Sequence, residues 1–187
     1  EQRSALLHDI EQSPPLPMRN LPHHARVLAE LRGVSVSYGA RRVCGLMDLV
    51  LEQGERLAIT GVNGSGKTSL LRLLNGEDIP HQGSVRLASR LKISYLPQQT
   101  TGLAGGMRAF IDGEALDESL FKTILRKLDF ERSGFDQDLA CLSEGQKKKV
   151  LLAKSLCQQG QLYLWDEPLN YIDLFSRQQI EQVILAA

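Results

Sequence analysis

The chain has 187 residues, 42% hydrophobic and 24% charged, enough apolar material for one ordinary globular domain or slightly more. Its 22 Lys+Arg balance 22 Asp+Glu, which argues against broad electrostatic attachment to nucleic acid or an acidic membrane surface and leaves only local basic patches. No apolar run reaches the ~18 residues of a membrane-spanning helix, and the N-terminus shows no signal peptide. Cys44, Cys141 and Cys157, an odd set without a C-x-x-C pair, read as reduced thiols of a cytosolic protein.

Residues 1–12 place a few apolar positions at helical spacing, and Pro14, Pro15, Pro17 and Pro22 follow. Residues 1–25 therefore read as the end of a linker helix and an extended connector, or as a disordered tail. From Val27 to Gly39 the alternation is that of a strand, and residues 46–55 give a second strand closed by a glycine turn. Arg56–Gly61 reads as a short apolar strand running into a Gly-rich loop and an amphipathic helix that ends near Gly76. Residues 83–88 and 91–98 are further strands, and residues 107–130 carry helical periodicity. A helix N-capped by Ser143 and stopped at Gly160, a buried strand from Gln161 and a last helix from Asp173 complete the chain. Strands alternating with helices predict an α/β fold with a mainly parallel central sheet. The N-terminal Glu1 and the uncapped last helix are expected of a piece of a longer chain.

Two segments carry the chemistry. Gly61-Val62-Asn63-Gly64-Ser65-Gly66-Lys67-Thr68 matches G-x-x-x-x-G-K-[ST] between a strand and a helix. Glycines let such a loop curl so that successive N–H groups face one phosphate, and the helix adds its positive end. Lys67 is placed to reach β- and γ-phosphates, and the Thr68 hydroxyl to bind Mg²⁺. The apolar run Leu162–Trp165 delivers Asp166 and Glu167 to the C-terminal edge of its strand, where open α/β sheets bind ligands. Asp166 suits the metal shell and Glu167 a general base for water.

Between them, Leu142-Ser143-Glu144-Gly145-Gln146 opens a helix and is followed by Lys147, Lys148 and Lys149. A phosphate loop, this Ser-Glu-Gly-Gln helix start and an apolar strand ending in Asp-Glu, in that order, resemble the ATP-binding cassette (ABC) ATPases. Leu142–Gln146 is similar to their LSGGQ signature, with Glu144 in place of the first glycine. The resemblance spans residues 27–187 and implies the cassette fold: a mainly parallel central sheet, an antiparallel β subdomain and a small helical subdomain, truncated at the C-terminus. Residues 1–25 are then the end of an inter-domain linker and residues 26–187 the nucleotide-binding domain.

The same resemblance implies that ATP and Mg²⁺ are bound and ATP hydrolysed. Asn63, Gly64, Ser65, Gly66, Lys67, Thr68 and Ser69 hold the phosphates. Tyr38 stacks on adenine, unless it is a sheet-edge tyrosine, and Gln98, preferred over Gln99, senses metal and attacking water. Thr68, Gln98 and Asp166 serve the metal, with Glu167 and Gln98 catalytic. Ser143, Gly145 and Gln146 bind nucleotide held by a second cassette, and Asp173 contacts that cassette. The lysines read as a solvated face or as a contact to nucleic acid or a partner phosphate. The family's switch histidine has no counterpart, since His8, His23, His24 and His81 all precede the Asp-Glu pair.

Asp166-Glu167-Pro168-Leu169-Asn170-Tyr171-Ile172-Asp173 and the lysine-rich helix resemble the ABC-F proteins, soluble tandem cassettes that act on ribosomes, some of which protect them from antibiotics. The short interval from Gln98 to Ser143 is read in the same direction, and against chromosome-maintenance ATPases with their long coiled-coil insertions. The implied partners are a second cassette, in the same chain, and the ribosome, with no DNA and no membrane insertion. The alternative is the ATP-binding subunit of a membrane transporter.

Overall fold

Alternating apolar residues put one face of β1 (Val27–Tyr38) into a core, with Leu31, Val34 and Val36 buried there. The computed structural model describes residues 16–18, 20–39 and 41–186. The helix expected over residues 1–12 lies outside them, but the end of the connector is tied down: Leu21 N donates to Gly160 O at 2.9 Å and Gln161 Nε2 to Pro22 O at 3.2 Å.

The described chain divides into two compact units. In the first, formed by Asn20–Gln98 and Gly160–Asp166, β2 (Arg41–Glu52) and β3 (His81–Leu87) flank β1 antiparallel, in the order β2-β1-β3. The α1 helix (Lys67–Leu74) buries Leu70, Leu71, Leu73 and Leu74, the i, i+1, i+3, i+4 stripe, in one cluster with Leu31, Val34, Val36 and Leu164. β4 (Ile93–Leu96) pairs parallel with β5 (Leu162–Trp165), with Leu96 opposite Trp165. Asp166 N then donates to Leu96 O at 2.9 Å, so both strands end together and their next residues, Pro97-Gln98 and Asp166, leave from one edge.

The mixed α/β fold is as expected, but among the described residues the expected mainly parallel central sheet is represented by the β4–β5 pair alone, and the larger sheet is antiparallel. Arg56–Gly61, expected as a strand, is not paired into a sheet among the described residues. A short apolar stretch becomes a strand only where another backbone accepts its ladder, and none among the described residues does, leaving Leu57 55% exposed.

The second unit is helical, built from Gln99–Gln159 and Glu167–Ala187. The periodic stretch 107–130 splits into α2 (Met107–Gly113) and α3 (Glu118–Lys127). Ala115 adopts φ 51°, and Asp117 N-caps α3 by accepting from Leu120 N at 2.7 Å. α4 (Glu144–Cys157) follows Ser143, and α5 (Leu174–Ala186) ends the described chain. No helix among the described residues is long and apolar enough to cross a membrane.

The β1–β3 pairing slips between Arg32 and Ser35, where Gly33 has φ 56° and donates to Asp48 Oδ1 at 2.6 Å. Opposite it Gly83 has φ 88°, and a Cβ there would collide with the Gly33 carbonyl oxygen. Gly83→Ala is expected to destabilise the fold by about 1–3 kcal/mol, read from urea unfolding midpoints; a wild-type midpoint would contradict this packing.

Candidate functional site

The turn from the Gly-rich loop into α1 is built to leave a helix end bare. Gly66 is the N-cap in the left-handed region, φ 91°, and a Cβ there would stand 2.7 Å from the Val43 carbonyl oxygen, so only glycine fits. Gly64 is also left-handed, φ 79°. No side chain caps α1 and its first turn carries no acid, so its leading N–H groups and positive end are offered outward. Lys67 Nζ donates back to Gly61 O at 2.9 Å and Val62 O at 3.1 Å, holding a cation over the loop. Backbone donors and an ammonium at one helix terminus form an anion site.

The expected neighbours converge here. Thr68 Oγ1 lies 3.5 Å from Gln98 Oε1, and the Tyr38 hydroxyl 3.2 Å from Ser69 Oγ, which orients a ring 44% exposed. Asp166, 2% exposed, leaves the end of β5 beside the exit of β4 toward Gln98. Burial, followed by the negative charges of Asp166 and Glu77, pushes the Tyr95 phenol up to about 12, so it stays neutral there. Hydroxyl, carboxamide and carboxylate oxygens are the donors that Mg²⁺ takes, so Thr68, Gln98 and Asp166 fit that ion.

Ser143, Gly145, Gln146 and Glu167 belong to the helical unit. Ser143 and Gln146 form a complete capping box, with Gln146 N to Ser143 Oγ at 3.2 Å and Ser143 N to Gln146 Oε1 at 2.9 Å. The serine oxygen accepts in this bond, and its O–H can still donate. A Cβ on Gly145 would sit 2.6 Å from Tyr171 O, so glycine is required here by the chain's own backbone as well as by any ligand. Glu144, the departure from the family pattern, accepts from Thr100 and from Lys147 at 3.3 Å. The Thr100 hydrogen bond, with Lys147 second, holds its carboxyl below the usual range.

One expectation is corrected here. The lysines are not a solvated face: Lys148 is fully buried and Lys149 is 9% exposed. α4 is packed on several sides, and Lys149 shares a stripe with Leu152, Ala153 and Leu156. Its ammonium meets Asp173 Oδ2 at 2.6 Å and donates to Asp129 O at 3.1 Å. The Asp173 carboxylate accepts from Ser176 N at 2.9 Å and Ser176 Oγ at 2.8 Å as well as from Lys149. Asn170, read from the sequence as part of the Asp166–Asp173 motif but given no role there, donates through Nδ2 to Glu167 Oε2 at 2.6 Å. A lysine on an apolar helical stripe was the available signal for Lys149.

Burial raises the Asp173 pKa, but the bonds from Lys149 and Ser176 outweigh it and leave the carboxyl below its usual value. The stability it contributes is therefore present above the unfolded pKa of about 3.9 and lost as pH falls through the lower folded value. Asp173→Asn keeps a capping side chain and removes the charge. With Asp173 43% exposed, the expected loss is about 1 kcal/mol or less near pH 7, shrinking below about pH 4. Urea unfolding across pH checks it; a difference unchanged down to pH 2 would refute the ion pair.

The sequence profile of the ABC transporter family matches residues 30–170. The zinc import ATP-binding protein ZnuC of Rickettsia bellii is 32% identical over 162 residues, spanning 84% of this chain and 69% of that protein. The ribosome protection protein VmlR of Bacillus subtilis is 29% identical over 161 residues, spanning 83% of this chain but 29% of that protein. An ABC transporter ATP-binding protein from Pyrococcus furiosus has the same fold, with TM-score 0.70, 23% identity and 84% of each chain covered. Since the match to the zinc import protein covers most of this chain, the interval between Gln98 and Ser143 does not set it apart from a transporter subunit.

Proposed function

The chain belongs to the ABC transporter family of ATP-binding proteins, and on that premise we propose that it binds ATP with Mg²⁺ and hydrolyses it while closed against a second cassette. The observation that carries this reading is the uncapped N-terminus of α1 with Lys67 held over its loop.

In this mechanism Lys67 exchanges the carbonyls of Gly61 and Val62 for β- and γ-phosphate oxygens, while the N–H groups of the loop and of α1 take the rest. Asn63, Gly64, Ser65, Gly66 and Ser69 complete the cradle, and Tyr38, steadied by Ser69, stacks on the base. Thr68, Gln98 and Asp166 would hold a Mg²⁺, which would neutralise phosphate charge. Glu167, the residue after Asp166, accepts a proton from the attacking water that Gln98 orients; the new O–P bond forms as the bond to the β-phosphate oxygen breaks. Ser143, Gly145 and Gln146 act in trans on nucleotide held by the second cassette. Triphosphate binding thereby shifts the population toward the closed pair, and hydrolysis releases it.

Two settings for this clamp have separate support. The relatives favour a transporter: the chain spans 69% of a protein named for zinc import, at 32% identity. A second reading, an ABC-F protein acting on the ribosome and protecting it from antibiotics, is favoured by residues 166–173 and the lysine-rich α4, and by the likeness to VmlR.

Lys67→Ala is expected to weaken ATP binding roughly 10- to 100-fold. Glu167→Gln is expected to leave binding nearly unchanged and to lower turnover by about 10²–10⁴. Nucleotide titration and phosphate release check both, and equal loss of binding in the two variants would contradict the role given to Glu167. The complete protein carrying Glu167→Gln separates the settings: ATP-dependent co-sedimentation with ribosomes supports ABC-F, and recovery in membranes beside an integral partner supports the transporter.

A further inference from the structure

The segment that follows Asp166 is strained. Glu167 and Tyr171 both have left-handed backbones, φ 47° and 62°, although neither is glycine. Such conformations persist where the surroundings over-determine them, and they concentrate where a side chain must be aimed.

Two contacts from one face of α4 do the determining. At Gly145 the helix admits the Tyr171 carbonyl into space that any Cβ would fill. One turn on, Lys149 reaches Asp173 at 2.6 Å, with its own side chain only 11% exposed and its ammonium also on Asp129 O. Asp173 is fixed in turn by Ser176, whose hydroxyl donates to Leu128 O at 2.7 Å. The C-terminal end of α3, the middle of α4 and the start of α5 thus meet at one polar knot. From its near end Asn170 reaches back to Glu167 Oε2 at 2.6 Å, and Asn170 N to Glu167 O at 3.3 Å.

We propose that Lys149 is a positioning residue for hydrolysis: through Asp173 it clamps residues 167–173 against α4 and so holds the Glu167 carboxylate where the reaction needs it. The proposal rests on Glu167 being the general base. Lys149 touches no substrate and acts through Asp173. Because proton transfer depends steeply on placement, with an error of about 1 Å able to cost 10²-fold, the loss should fall on kcat. ATP affinity depends on the Gly61–Thr68 loop, which the knot does not include, and should be retained.

The test measures ATP turnover and nucleotide affinity in the complete protein. Lys149→Met is expected to lower kcat at least about 10-fold with the KM for ATP within about twofold. Lys149→Arg, which restores a cation to Asp173, is expected to recover most of it. Lys154→Met is the control: it breaks a 2.6 Å ion pair from the same helix to Glu114, away from the knot, and should leave kcat unchanged. Should Lys149→Met not fold, Asp173→Asn carries the same expectation.

Wild-type kcat in a folded Lys149→Met or Asp173→Asn variant overturns the proposal, as does an equal fall in Lys154→Met, which would mark a general effect of helix stability. Glu167→Gln separates the two levels. Its loss of turnover beside an unaffected Lys149→Met defeats the positioning role alone, whereas normal turnover in Glu167→Gln removes the base assignment and this proposal with it.

Discussion

A helix begins with N–H groups that have no partner inside the helix, and everything else in this molecule follows from how two helices meet that constraint. α1 leaves its end open. Its N-cap is a glycine with no side chain to offer, pressed so close to the Val43 carbonyl that no other residue fits. The four buried leucines of α1 pack that helix onto the strands beneath, which is how a preorganised anion site is anchored. α4 closes its end with the Ser143–Gln146 capping box and puts its polar side chains to a different use, against the segment that carries Glu167.

Burying lysines is costly unless the charge is matched, and the cost explains the arrangement around α4. An ammonium removed from water needs an anion and further acceptors, and Lys149 has the Asp173 carboxylate and the Asp129 carbonyl. Asp173, 43% exposed, also meets water, so the pair adds little net stability, and its main effect is to fix the geometry of the segment that Asp173 ends. The adjacent strained residues, Glu167 and Tyr171, are where that geometry is spent.

How much of this was legible beforehand depends on whether the cause is local. The phosphate loop, the Ser143 cap and the strand before Asp166 were readable because each residue type answers a requirement of its immediate neighbours. The break between α2 and α3 at Ala115 escaped an apolar periodicity that continues through it. Arg56–Gly61 reads as a short apolar strand, but pairing is a tertiary property. The Lys149–Asp173 and Glu144–Thr100 pairings span 24 and 44 residues of sequence and follow from how helices pack, and charge runs carry no such information. The machine this cassette drives is hardest to read, because identities of 29–34% track the shared nucleotide chemistry and extend to zinc importers and ribosome protection proteins alike.

The most direct test of the central claim, that the bare end of α1 is a polyphosphate cradle, is a calorimetric titration of the protein with adenosine, ADP and ATP in Mg²⁺ buffer. Affinity rising steeply from adenosine to the phosphorylated nucleotides, with inorganic pyrophosphate competing, is the result the account predicts. Adenosine binding as tightly as ATP, with no competition from pyrophosphate, would contradict it.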